Sequence, residues 1–341
     1  MSGHISLGIA LVLIGGFLNG SFAFPMKRLP AWRWENIWLA YSFSGMIFVP
    51  WITAAATVPH LAELYRQSSS LTLVKVTLFG LGWGVGSTLF GMGISRVGLA
   101  LGFAVTLGIT ASFGSVLPLA VLHPEELLTH RGLALMAGTL VMVLGQIFLS
   151  IAGRRRERET GAATSGSPPS SFALGLVICI FSGIFSSMLN FAFLFGDELR
   201  QRALSAGASA PMAANPIWAL AVTAGFLANA GYCAYLLSKH RTWSLFTASR
   251  SGPGPWLGAG LMGVIWFSGI AVYGMGGALL GALGGIVGWP IFMAMVILTG
   301  YLMGVVSGEW KGASRRSYSY SWLGVAILLV AIYIVSLGNA A

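Results

Sequence analysis

The strongest constraint on this chain is where its charges are missing. Ten stretches contain no Asp, Glu, Lys, Arg or His: residues 5–24, 36–58, 76–94, 98–121, 132–152, 172–196, 217–237, 256–278, 280–306 and 320–339. Each is close to the roughly 20 apolar residues that a helix needs to cross the hydrocarbon of a bilayer. The 341 residues include only 19 Lys and Arg and nine Asp and Glu, all of them between these stretches. An ordinary soluble protein is about 25% charged, and this chain is 8% charged. That excludes a soluble globule, a disordered tail and a peripheral enzyme. A transmembrane barrel is not expected, because it would read as short alternating segments. The expectation is an all-α polytopic membrane protein of ten transmembrane helices. No Lys or Arg precedes the first stretch and nine more follow it, so it reads as a helix and not as a secretory signal.

The net charge of +10 has a membrane reading, in which basic residues collect on cytoplasmic loops, and nucleic acid is not an expected partner. The odd-numbered connections hold fourteen of the 19 basic residues, among them Arg28, Arg33, Arg154, Arg155, Arg156, Arg158, Arg250, Lys311, Arg315 and Arg316. The even ones hold Arg66, Lys75, Arg131, Arg200 and Arg202. Odd connections are therefore expected in the cytoplasm, with both termini outside. Cys179 and Cys233 lie in apolar stretches and show neither a disulfide framework nor metal-ligand spacing, so no metal and no cofactor is expected.

The longest connection, 153–171, runs from arginines into Gly, Ala, Ser, Thr and Pro, the composition of a flexible linker. It divides the chain into 1–152 and 172–341, each with five spans. An odd number of spans per half makes two copies of one unit lie upside down relative to each other. Leu18-Asn19-Gly20-Ser21-Phe22-Ala23-Phe24 resembles Leu189-Asn190-Phe191-Ala192-Phe193-Leu194-Phe195, and Phe90-Gly91-Met92-Gly93 resembles Tyr273-Gly274-Met275-Gly276. The matches keep their order across the linker. Inverted repeats are the architecture of secondary transporters.

Glycine is abundant, at 47 residues. The spacings Gly80, Gly82, Gly84, Gly86 and Gly277, Gly281, Gly285 and Gly300, Gly304, Gly308 predict close helix contact. Pro50, Pro118, Pro216 and Pro290 fall in or at the ends of spans, where proline frees a carbonyl. Trp32, Trp34, Trp38, Trp51, Trp310 and Trp322 lie near span ends, as interfacial anchors do. Trp83, Trp218, Trp266 and Trp289 lie deeper. Sugars present C–H faces to aromatic rings and hydroxyls to amides, so the expected substrate-binding residues are Asn19, Trp83, Ser87, Asn190, Asn229, Trp266, Tyr273 and Trp289. Each also has a plain packing reading. No span carries a carboxylate. Glu35 and Glu309, at span edges, are the candidates for proton coupling, with pairing to a nearby basic residue as the alternative.

Several segments resemble the L-rhamnose–proton symporter family of the drug/metabolite transporter superfamily, in order and over nearly the full length. They are Pro25-Met26-Lys27-Arg28, Trp32-Arg33-Trp34-Glu35 with Trp38, Pro50-Trp51, Leu78-Phe79-Gly80 with Trp83-Gly84, Gly183-Ile184-Phe185-Ser186 with Phe191-Ala192, Asn229-Ala230-Gly231-Tyr232-Cys233, and Glu309-Trp310 with Arg315-Arg316. The resemblance implies ten spans in two inverted repeats, a central cavity walled by both halves, and proton-coupled sugar uptake in a bacterial inner membrane. It also implies polar residues in span three where this chain has Ser87, Leu89 and Phe90, and charged residues around spans eight and nine, where Gly269 to Gly285 has none. The leading expectation is therefore a symporter for a small neutral solute, a monosaccharide such as L-rhamnose. The alternative is an exporter or uniporter of the same superfamily with a less polar substrate. The expected partners are that solute, a proton and membrane lipid, with the chain a monomer or a homodimer and no enzyme.

Overall fold

In the computed structural model residues 2–161, 169–247 and 252–340 are described. Ten helical spans are present: His4–Met26, Trp34–Thr57, Ser70–Val97, Leu101–Leu122, His130–Glu159, Phe172–Ser205, Ala210–His240, Gly254–Leu279, Gly284–Val306 and Arg315–Gly338. Among the described residues there is no strand. Each predicted stretch has its span. The helix follows from the medium, since a backbone in lipid must satisfy its own N–H and C=O groups. Residues 162–168 of the expected linker and Arg250 of the seventh connection lie outside the described residues.

The irregular places have identifiable causes. Spans three and four are joined through Gly98 at φ +90°, and spans eight and nine through a turn holding Gly281 at φ +83°. These backbone shapes favour glycine, and they make both expected tight hairpins possible. Gly281 and Gly308 thus serve turns and not helix contact, which corrects the sequence reading for those two. Span two passes through a π-helical turn, Ser44–Phe48, just before Pro50. Pro50 has no N–H to give the Met46 carbonyl, and the Thr223 hydroxyl on span seven donates to that carbonyl instead, at 3.4 Å. Trp51 Nε1 donates to the same hydroxyl at 2.8 Å. Span six breaks after Ser186, resumes as Met188–Phe195 and continues past Gly196 as Asp197–Ser205.

Glycine sets the helix spacing elsewhere. A Cβ at Gly80 or Gly84 would run into the backbone of Ala221 or Gly225 on span seven, and one at Gly86 would lie 2.6 Å from Ser186 N on span six. Gly15 and Gly269 bring spans one and eight into backbone contact in the same way. A Cβ at Gly300 would meet nothing within 4 Å, so that part of the expected stripe is unused.

The packing is regular. Span one lies on spans eight and nine, and span six lies on spans three and four. Span two packs on seven and eight, span seven on two and three, and spans five and ten pair with each other. Replacing each span by the one five positions away reproduces the same set of pairs. Cross-links between connections respect two faces. Arg156 pairs with Glu309, and Glu35 with His240, so odd connections meet odd ones. Glu198 accepts from Ser69 and Thr72, so even meets even. The face of the odd connections is called the basic face below.

Candidate functional site

The eight predicted binding residues divide into two clusters. The first is a ring drawn from spans one, two, three, seven and eight. Trp83 stacks on Trp266, with centroids 5.3 Å apart and planes 23° apart. Asn19 Nδ2 reaches the Trp266 carbonyl at 3.5 Å. On span seven, Asn229 Nδ2 donates to Ser87 Oγ at 3.0 Å, and the Ser87 hydroxyl donates to the Gly84 carbonyl at 2.8 Å. Asn229 Oδ1 accepts from Trp38 Nε1 at 3.1 Å. Phe22 and Tyr41 close the circuit: Phe22 stacks on Tyr41 at 5.0 Å, and Tyr41 meets Trp266 edge-on at 6.2 Å. Asn19, Phe22, Trp38 and Ser87 are only partly buried. The ring therefore presents aromatic faces, amides and a hydroxyl, and none of the residues that make it is ionisable below the range of tyrosine.

The second cluster holds Asn190, Tyr273 and Trp289, in the half of the bundle away from the basic face. Asn190 and Tyr273 are 0% exposed and Trp289 is 2% exposed. Asn190 Nδ2 donates to the carbonyls of Gly114 at 2.9 Å and Gly285 at 3.0 Å, and its Oδ1 accepts from the Tyr273 hydroxyl at 2.6 Å. The sequence explains why an amide belongs here. Pro118, four residues on from Gly114, cannot donate to the Gly114 carbonyl, and Asn190 supplies the missing donor. Trp289 Nε1 donates to the Thr110 carbonyl at 2.9 Å. Phe193 lies flat on Trp218 at 5.0 Å and touches Tyr273 at 5.7 Å. The three residues thus sit together in a sealed plug, apart from the ring.

Toward the basic face the opposite holds. Gly80, Gly84, Ser87 and Gly91 lie on one face of span three by helical spacing. The first two are in backbone contact with span seven, whereas a Cβ at Gly91 would meet nothing within 4 Å. Gly91 is exposed, so it does not share the close contact with span seven that Gly80 and Gly84 make. A cavity of about 580 Å³ lies elsewhere, between spans four and five, and shares no residue with either cluster.

Of the two carboxylates, Glu35 is buried at the start of span two, 4% exposed. Its Oε1 lies 3.0 Å from His240 Nδ1 and accepts from Thr242 Oγ1 at 3.0 Å. Next to it, Asn36 Nδ2 donates to the Thr242 carbonyl at 3.0 Å. Glu309 pairs with Arg156 at 3.0 Å, and Arg156 lies over Trp310 at 5.5 Å. Both therefore have basic partners. No group of His, Cys, Asp and Glu able to hold a metal occurs among the described residues.

Sequence reasoning missed Trp38, Tyr41, Phe22, His240 and Thr242. Trp38 and Trp51 read as interfacial anchors because of their places near span ends, yet both indoles donate inward to span seven. Trp32 and Trp310, also read as anchors, are buried, while Trp34 and Trp322 keep an exposed face. One available signal was the proline rule: Pro118 frees a carbonyl in mid-membrane, and an Asn on another span is the natural donor.

Comparison with known proteins accords with this geometry. The family model described as L-rhamnose-proton symport protein matches residues 1–341. The "L-rhamnose-proton symporter" of Klebsiella pneumoniae (strain 342) is 29% identical over 347 residues, covering 100% of both chains. That of Escherichia coli (strain 55989 / EAEC) is 29% identical, and that of Shigella boydii serotype 4 (strain Sb227) 30% identical, again over 100% of both chains. With a ten-span bundle, a ring of aromatic and amide side chains at its centre and a full-length match, the chain belongs to the L-rhamnose-proton symport protein family.

Proposed function

We propose that the chain is a secondary active transporter that moves L-rhamnose together with a proton by alternating access. The observation that carries this reading is the ring: stacked indoles with Asn19, Ser87 and Asn229 beside them. A deoxyhexose needs an apolar platform for its C–H and methyl faces and neutral partners for its hydroxyls. In this reading Asn19, Trp83, Ser87, Asn229 and Trp266 contact the sugar. Asn190, Tyr273 and Trp289 close the path behind it. The halves 1–152 and 172–341 are the two inverted repeats, joined by 153–171. The positive-inside rule puts the basic face in the cytoplasm of the bacterial inner membrane and both termini outside.

Glu35 is the better candidate for the coupled proton. Glu309 is held by the guanidinium of Arg156, which also lies over Trp310, at the edge of spans five and ten. The partner of Glu35 is the His240 imidazole at 3.0 Å, and the pair bridges span two to span seven, the helix that also bears Asn229. The ring carries no charge, and this also supports a second reading, transport of a less polar solute by the same cycle.

A direct test is titration of the intrinsic tryptophan fluorescence of the purified protein with L-rhamnose, L-mannose and L-fucose. A saturable L-rhamnose signal that disappears in Trp83→Ala supports the ring as the site. A signal for none of the three sugars, from protein that is folded, discards the sugar reading.

A further inference from the structure

We propose that the cleft between spans four and five binds an anionic glycerophospholipid from the leaflet on the basic face. The cleft holds about 580 Å³ and is walled mainly by apolar side chains, Leu101, Val105, Val143 and Ile147 among them. Ile147 and Ile151, on its span-five wall, are exposed at the outside of the bundle. Spans four and five are joined at the far face and both carry lining residues down to the basic face, so the cleft opens toward that leaflet. A passive gap between helices would be apolar throughout. This one carries a polar stripe on span five, Gln146, Ser150 and Arg154, spaced four residues apart and therefore on one side of the helix.

Gln146 is the telling member. It is 2% exposed, and neither its Oε1 nor its Nε2 has a hydrogen-bond partner. Buried amides with both atoms unserved are rare, and each calls for an occupant or a reason. Hydrocarbon alone cannot serve it. Gly108 faces it across the cleft, where a Cβ would lie 2.8 Å from Oε1, so span four leaves the amide its room. Arg154 lies about 12 Å along the helix from Gln146, at eight residues of 1.5 Å rise. Its neighbours Arg155 and Arg156 have carboxylate partners, whereas Arg154 has none among the described residues. An acyl chain against the apolar wall, ester carbonyls accepting from Gln146 Nε2 and the Ser150 hydroxyl, and a phosphate accepting from Arg154 match this sequence of polarity. Basic pockets between spans on the cytoplasmic side are where anionic headgroups bind.

The test is native mass spectrometry of delipidated protein given equal amounts of phosphatidylglycerol and phosphatidylethanolamine with the same acyl chains. One arginine at the surface accounts for about a fivefold preference for the anionic lipid. Wild type should show it, Arg154→Gln should lose it, and Ala104→Phe, which fills the cleft, should lower both adducts. Should a variant fail to fold, wild type crosslinked to photoactivatable phosphatidylglycerol decides, with label expected in 101–113 and 143–154. Equal binding of the two lipids by wild type, an undiminished preference in Arg154→Gln, or label confined to other spans would overturn the proposal.

Discussion

Removing the Tyr273 hydroxyl should open the transporter toward the face opposite the basic one. That hydroxyl donates to Asn190 Oδ1 at 2.6 Å inside a cluster where both residues are 0% exposed. In Tyr273→Phe the ring still packs on Trp289 and Phe292, so little volume is lost. The Asn190 oxygen, however, loses its donor while it stays buried. An unserved buried acceptor costs about 1–3 kcal/mol, and measured hydrogen bonds between spans reach about 1.7 kcal/mol at most. About 1 kcal/mol is the reasonable value. The penalty falls on the sealed state alone, because parting spans six and eight lets water reach Asn190. The equilibrium should then shift about fivefold toward states open on that face. A cysteine at Ser87 reports this, because it lies in the ring and both native cysteines are buried. Labelling by a membrane-impermeant maleimide applied from the opposite face should be about fivefold faster in Tyr273→Phe/Ser87→Cys than in Ser87→Cys. An unchanged rate in a protein of unchanged melting temperature would show that the plug is not the barrier.

Four further outcomes are expected. Asn229→Ala takes away the acceptor of the Trp38 indole and the donor to Ser87; KM for the transported sugar should rise about tenfold for about 1.4 kcal/mol lost, read from initial uptake rates. Glu35→Gln should abolish the dependence of uptake on external pH while sugar exchange across loaded vesicles persists; Glu309→Gln should retain the pH dependence. Gly80→Val should prevent assembly, because any Cβ meets the Ala221 backbone, whereas Gly91→Ala, with nothing within 4 Å, should melt like wild type; thermal shift in detergent separates the two. Terminal reporter fusions should place both ends outside, and a cytoplasmic C-terminus would reverse the orientation.

The ten spans were legible because a charge in hydrocarbon is so costly that its absence marks each helix. The ring was half legible. Deep Trp and Asn residues are rare enough to single out, and five of the eight chosen residues do meet there. Sequence could not show that Asn190, Tyr273 and Trp289 meet elsewhere, because helical periodicity gives the face of a span and not its partner. Trp38 was lost for a related reason: one turn in from a span end, an indole can point to the headgroups or to the bundle, and only the neighbouring Asn229 decides. The Glu35–His240 pair joins residues 205 apart, a distance over which no local pattern carries.

Proton-coupled L-rhamnose transport is tested most directly by uptake of labelled L-rhamnose into proteoliposomes holding only this protein, with and without an imposed pH gradient. Accumulation above the external concentration, present only with the gradient and abolished by a protonophore, is the expected result. Equilibration that the gradient leaves unchanged would make the chain a uniporter, and no uptake by protein shown to be folded and inserted would contradict the assignment of L-rhamnose itself.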